Sequence, residues 1–338
     1  MMPPLRLQPI MKQRPWGGRR LAQLWGRPAS RELEAEGWAE SWEVVDHGED
    51  QSRISGGEFD GRLLGELIRE CGAELLGEQA AVGSFPLLFK FLDAAERLSV
   101  QVHPNDEQAA QLNVGHRGKS EAWVILAAEP GSELSVGLKP HVDRSTLEKA
   151  LAAGTIAECL HTFPAIVGNV IAVPAGTVHV IGAGVTLAEI QQSSDITFRL
   201  FDWNRRDANG QPRALHVIEA LQCIDFASHC ENPRTPLLLG PQQFAATGQH
   251  ADWATRHEEL IRNPYFVWRR HQAHGSAFVL PTCGRCRIVS LIEGRADLSS
   301  PFGSERLVAG DALLIPASCD TVRVTPTNRC TMLEAIPE

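Results

Sequence analysis

Two segments 142 positions apart read alike: Gly168-Asn-Val-Ile-Ala-Val-Pro-Ala-Gly176 and Gly310-Asp-Ala-Leu-Leu-Ile-Pro-Ala-Ser318. Each is a glycine turn, a short apolar strand and a turn opened by proline, which cannot donate to a ladder and so ends the strand. A chain that repeats this unit is expected to build two related β modules. The rest of the sequence agrees, because 29 Gly and 21 Pro punctuate short runs rich in Val, Ile and Leu, and alternation recurs in Cys286-Arg-Ile-Val-Ser-Leu-Ile-Glu-Gly294 and Thr321-Val-Arg-Val-Thr325. Helical spacing is confined to Leu63 to Gln79, Asp106 to Leu112, Arg144 to Ala153 and Arg213 to Leu221. Pro104-Asn105-Asp106 supplies a start signal, Asp143 a cap and Gly154 a stop. The helices do not alternate with strands, which argues against a parallel α/β architecture. The expected fold is mainly β, two jelly-roll barrels with a few decorating helices. The first barrel is expected over 1–230 and the second over 231–338, with a linker region around Glu231–Pro236 and Gly240–Gln243.

The length of 338 residues suits two domains, and 43% hydrophobic residues provide their cores. Thirty-two Lys and Arg against 41 Asp and Glu give a net charge of −9, the wrong sign for a general binder of nucleic acid or anionic membrane. An anionic ligand must therefore be caught by a local cluster. No apolar run is long enough to cross a bilayer, and Met1-Met2-Pro3-Pro4-Leu5-Arg6 lacks the apolar stretch of a signal peptide, so a cytoplasmic location is expected. The eight Cys show no disulfide framework and read as thiols. A zinc knuckle at Cys283-Gly-Arg-Cys286 would need a second close pair, which Cys319 and Cys330 do not form, so a hairpin turn is expected there. Gly182-Ala-Gly184 lacks the third glycine of a dinucleotide fingerprint and also reads as a turn.

The most informative run is Arg97-Leu-Ser-Val-Gln-Val-His-Pro-Asn-Asp106. On a strand, Ser99, Gln101 and His103 share one face and Leu98, Val100 and Val102 the other. Glu121 stands at the entry of an apolar strand in Lys119-Ser-Glu-Ala-Trp-Val-Ile-Leu126, and His179 follows a Pro-x-Gly-x-x-His turn. Any one of these residues alone reads as a surface or hydrogen-bonded group. Together, two imidazoles, a carboxylate and an amide form a mixed N/O set suited to Zn²⁺, with Fe²⁺, Mn²⁺ or Co²⁺ as alternatives, and a thiolate-free set is catalytic in type. The second Gly-x₅-Pro unit continues to Cys319-Asp320 and has no His, so one barrel is expected to carry chemistry and the other to be structural.

Gly168-x₅-Pro174-x-Gly176-x-x-His179 resembles the second metal motif of the cupin superfamily. Leu98-Ser-Val-Gln-Val-His-Pro-Asn105, Lys119-Ser-Glu121 and Asp195-Ile-Thr-Phe-Arg199-Leu-Phe-Asp-Trp203 together resemble the type I mannose-6-phosphate isomerases. The similarity runs from Pro15-Trp16-Gly17 to about Leu221 and continues more loosely through the second barrel. Only 58 positions separate Glu121 from His179, which resembles the compact bacterial form without a large inserted helical domain.

The resemblance implies a zinc-dependent interconversion of mannose 6-phosphate and fructose 6-phosphate, one ion per chain, with Gln101, His103, Glu121 and His179 at the metal positions. Such an isomerisation passes a proton between C1 and C2 through an enediolate, so it needs an acid/base group and a cation for the negative oxygen. Arg199 matches the family's catalytic arginine; the competing reading is a salt bridge to Asp195 or Asp202. Lys119, Glu189 and Asp195 are open alternatives for the acid/base group, the carboxylates reading equally as supports of the metal ligands and Lys119 as a phosphate contact. Ser99, Lys119 and Arg205 are the phosphate candidates, and Trp16 a wall of the sugar pocket. Glu40 and Trp42 are expected on the first barrel strand. A non-catalytic metal-binding cupin that holds a sugar or sugar phosphate is the alternative function, and an oxygen-using Fe²⁺ cupin a third. Neither a nucleic-acid nor a membrane partner is expected, and monomer and homodimer stay open.

Overall fold

The computed structural model of the protein describes residues 1–25, 37–115, 117–206, 210–227, 230–239 and 255–338. Among them, one six-stranded sheet runs in the order Val170–Val173, Glu121–Ala128, Val185–Gln192, Leu87–Ala94, Glu40–Val44, Ile10–Lys12. A five-stranded sheet, Leu160–Pro164, Glu133–Leu138, His179–Ile181, Val100–Val102, Phe198–Phe201, completes the first half. The second half repeats this order. Ala312–Ile315, Arg287–Glu293, Arg329–Pro337, Phe266–His274 and Thr255–Arg262 are neighbours in an eight-stranded sheet, opposed by a four-stranded sheet that includes Phe278–Pro281 and Thr321–Pro326. The protein is mainly β and has the expected paired architecture.

The twin glycine-to-proline segments occupy the same place in each half. Val173 pairs with Glu121 in the first and Ile315 with Arg287 in the second, each just before its proline. The larger sheet borrows two strands from the start of the sequence: Leu5–Gln8 pairs with Ala312–Ile315 on one side and with Arg53–Ile54 on the other.

The six- and eight-stranded sheets pack face to face, so their central strands are buried on both sides. Leu87–Ala94 is buried throughout: Phe89 and Phe91 join a core shared with Phe266, Trp268, Ile288, Leu314 and Leu333 of the second half, while Lys90 and Leu92 face the interior of the first barrel. Alternation therefore sorts the two faces into an inter-barrel core and an intra-barrel lining. A charged residue in such a strand can only point into a barrel, where it must find a partner.

The helices follow their local signals. Asp143 accepts a hydrogen bond from the Thr146 N–H at 2.8 Å to start Arg144–Ala153, and Gly154 ends it at φ 72°. Asn105 caps Asp106–Gln111 in the same way. Leu64–Leu76 stops short of Gln79 because Gly77 adopts φ 62°, a left-handed value that breaks the helix, and a short turn of 3₁₀ helix, Glu78–Val82, follows. The last helix is Val217–Cys223, four residues later than expected at its start; the stretch before it lies along Phe198–Phe201, with the His216 N–H donating to the Arg199 carbonyl at 2.8 Å. Cys283 and Gly284, both at positive φ, turn the chain between Phe278–Pro281 and Arg287–Glu293, and all eight cysteines are free thiols. Residues 230–236 form no regular element apart from one bridge, between Arg234 and Val170, while Gly240–Gln243 falls outside the described residues. Among the described residues, no helix is long and apolar enough to cross a membrane.

Candidate functional site

The interior of the first barrel holds a polar cavity of about 360 Å³. At its floor, the antiparallel pairing of His179 with Gln101 sets both side chains on one face, and the pairing of Gln101 with Arg199 adds the guanidinium. His103 extends the face at the turn before Pro104, and Glu121 enters from the opposite sheet. His103, Glu121 and His179 are buried, and their ligand atoms lie within 4.8 Å of one another. The His103 and His179 Nε2 atoms stand 3.5 and 3.4 Å from the two Glu121 oxygens, and the Gln101 amide is 3.1 Å from His179 Nε2.

The electrostatics of this cluster favour a cation. Burial, with Lys119 and His179 beside it, holds His103 well below the ordinary imidazole range, and burial brings His179 down to about 4. Both rings are therefore neutral at pH 7 and can offer an ion the lone pairs that now face Lys119 and Gln101. The Thr177 carbonyl accepts from His179 Nδ1 at 2.9 Å, which fixes the tautomer and aims Nε2 at the cluster. Glu121 Oε2 is buried without a well-aligned hydrogen bond. Two neutral imidazoles, a buried carboxylate and an amide that converge in this way fit a divalent metal ion.

Lys119 lies beside the cluster, its Nζ 2.8 Å from Glu121, 3.1 Å from His103 Nε2 and 3.7 Å from Glu189. Burial, reinforced by the nearby Glu121 charge, pushes Glu189 up to about 7, although Lys90 at 3.3 Å opposes this. Asp195 lines the same wall with Thr197. Arg199 donates from Nε to Ser99 Oγ at 3.3 Å and from Nη1 to the Ala214 carbonyl at 2.8 Å. Burial, helped by Arg213, lowers its pKa, yet a guanidinium remains charged at any ordinary pH. Trp16 forms an apolar part of the lining.

The structure thus brings together Gln101, His103, Glu121, His179, Lys119, Glu189, Asp195, Arg199, Ser99 and Trp16. Arg205 is placed elsewhere: it pairs with the buried carboxylate of Asp202 and donates to the Arg97 carbonyl at 2.8 Å. Asp202 needs a cation, and the residue three positions on supplies it. Arg213 lines the cavity instead, 3.5 Å from Asp202. Arg14, Glu40 and Lys90 also line it and were missed by the sequence reading. Glu40 sits on Glu40–Val44 as expected but faces inward, where burial alone would raise its pKa and Lys90 and Arg14, at 3.2 and 3.3 Å, bring it down to about 2. Lys90 is held above its ordinary value by Glu189 and Glu40 despite its burial. A lysine inside Leu87-Leu-Phe-Lys-Phe-Leu-Asp-Ala94 was the available signal, since a charge in an apolar strand requires buried partners.

A barrel that encloses a metal-type cluster, a buried carboxylate with a pKa near neutral and a guanidinium held beside them defines an enzyme of the cupin fold. Residues 4–122 match the catalytic domain of type I phosphomannose isomerase. The mannose-6-phosphate isomerase of Streptococcus mutans is 33% identical over 94% of this chain and 93% of its own length, and ManA of Bacillus subtilis is 36% identical over 93% of each. The crystal structure of a Bacillus subtilis mannose 6-phosphate isomerase superposes with a TM-score of 0.85 at 27% identity, covering 98% of this chain and 99% of that one. The chain belongs to the type I phosphomannose isomerases, and is an aldose–ketose isomerase of that family.

Proposed function

We propose that the protein interconverts mannose 6-phosphate and fructose 6-phosphate in the cytoplasm through an enediolate, with one Zn²⁺ per chain held by Gln101, His103, Glu121 and His179 in the barrel of residues 1–230. The observation that carries this reading is the convergence of those four donors with Lys119, Glu189, Asp195 and Arg199 on one cavity. The bound ion supplies positive charge against which substrate oxygens are oriented and polarised.

The remaining work falls to the chain's own side chains. Arg199 offers a permanent charge to the oxygen that becomes negative as the proton leaves carbon, and its Ser99 and Ala214 contacts hold it in place. Glu189 and Asp195 are the carboxylates available to carry the proton between C1 and C2, and Lys119 stands between Glu189 and the metal ligands to orient them. Arg213, Arg14 and Ser99 provide the donors for the phosphate, and Trp16 the apolar wall against the sugar. Free thiols throughout the chain suit a reducing compartment. Among the described residues, the one cluster of metal-type donors is that of His103, Glu121 and His179.

The test is a coupled isomerase assay with mannose 6-phosphate on the protein as purified, after chelation and after return of Zn²⁺, with His103→Ala and Arg199→Ala alongside. Activity should vanish with chelator, return with zinc and be lost in both variants. Absence of turnover by the metal-loaded protein would sink the proposal.

A further inference from the structure

The second barrel contains its own cavity, about 310 Å³, at the place that corresponds to the site of the first. The strand pairings define the correspondence residue by residue. Glu121 is opposite Val173 and Arg287 opposite Ile315, so Arg287 stands where the first barrel has its carboxylate ligand. Glu189 pairs with Lys90 and Trp123, and Glu334 with Arg269 and Val289, so the pair Lys90 and Glu189 becomes Arg269 and Glu334. Gln101 is opposite His179 and Pro281 opposite Thr321, which replaces both donors with groups that do not ligate metals. Two residues before Arg287, at the position of Lys119, is Arg285. The imidazoles and the amide are gone, Cys283 stands at the position of His103, and the central acid has become a base.

The cavity is lined by four guanidiniums, of Arg262, Arg269, Arg285 and Arg287, and two carboxylates, of Glu334 and Glu338. Arg287 is 5% exposed; it pairs with Glu334 and donates to the Thr282 carbonyl at 2.9 Å. Arg269 is only 3.8 Å from Glu334 and 3.6 Å from Glu259, too far for good hydrogen bonds. The Nε atoms of Arg269 and Arg287 are buried and make no hydrogen bond. At the rim, Arg262 and Arg285 also hold Glu259 and Glu78 and share the Glu338 side chain at 2.8 and 3.0 Å. That shared carboxylate shows the lining accepting an oxyanion.

We propose that this cavity is an anion site that takes a phosphoryl group, as inorganic phosphate or a small phosphate monoester. The buried Nε–H groups of Arg269 and Arg287 are donors without an acceptor, and planar guanidiniums bind phosphate oxygens in pairs. The site is independent of the isomerase reaction.

Titration calorimetry of the full-length protein with inorganic phosphate, at constant ionic strength, tests this. Arg269→Gln/Arg285→Gln should weaken one binding event at least about tenfold while KM and kcat for mannose 6-phosphate stay within error. Arg199→Ala/Arg213→Ala should leave that event in place. Glycerol 3-phosphate in place of phosphate identifies the source: tighter binding means a monoester, weaker binding inorganic phosphate. Should the double variant not fold, Arg285→Gln alone, at the rim, must weaken binding at least about threefold. Phosphate binding untouched by these variants, or no binding beyond that of matched sodium chloride, overturns the proposal, as does preference for malonate over both phosphates.

Discussion

The two barrels share strand order and pairing register, and they differ in the charge buried at the position of Glu121 and Arg287. In the first, Glu121 faces two neutral imidazoles, a set that fits a divalent ion. In the second, Arg287 occupies that position and pairs with Glu334. The same backbone thus builds a metal-type cluster or a self-paired charge, depending on the side chains at a few register positions. Geometry is inherited with the sheet, while chemistry is chosen residue by residue.

The largest expected effect probes the metal-type cluster. His179→Ala should lower metal content at equilibrium and reduce kcat/KM by at least about 10³, measured by metal analysis and the isomerase assay; it removes an imidazole that no other group replaces. In the second barrel, Glu334→Ala should cost about 3–5 kcal/mol in denaturant unfolding by stranding Arg287, with residual folded protein retaining its kcat. A smaller loss, within about 1 kcal/mol, would show that the second pair is not the structural element described.

Arg199→Ala should lower kcat roughly 10²–10³-fold with little change in melting temperature, as expected of a charge used mainly when negative charge develops. Arg213→Ala should act on KM more than on kcat, and the reverse pattern would exchange the two roles. The last expectation concerns pH. Burial, with His271 beside it, lowers His257 to about 3, while the unfolded ring titrates near 6.5. Below pH 6.5 the unfolded chain binds a proton that the native ring refuses, so stability is lost as pH falls toward 3, at no more than about 1.4 kcal/mol per pH unit. The charged groups around it, Glu334 and Arg269, oppose one another. His257→Gln should flatten the acid limb of stability against pH relative to the parent protein; an unchanged limb would exclude this histidine as a source.

The repeat of a glycine turn, apolar strand and proline turn made the paired architecture legible, because those residues dictate local backbone and the structure uses them at equivalent places. The metal-type cluster was legible for a related reason: Gln101 and His103 share a face by strand period alone, and only Glu121 and His179 needed the fold to bring them near. Arg213 was hidden because it precedes a helix and reads as part of it, whereas Arg205 advertised itself in a dipeptide beside the site and was drawn off by Asp202. The inward direction of Lys90 and Glu40 depends on which face of a doubly buried sheet meets the other barrel. That choice belongs to packing between modules, which no local pattern records.

The pairing of Leu5–Gln8 with Ala312–Ile315 also has a consequence in time. Leu5 meets Leu314, a residue made 309 positions later. At a synthesis rate of roughly 5–20 residues per second, the early strand waits about 15–60 s for its partner. Through that interval Leu5 and Leu7, both destined for the shared core, have no finished surface to rest on. The growing chain must keep this segment from pairing elsewhere until Ala312–Ile315 arrives, so the last strands to be made secure one of the first.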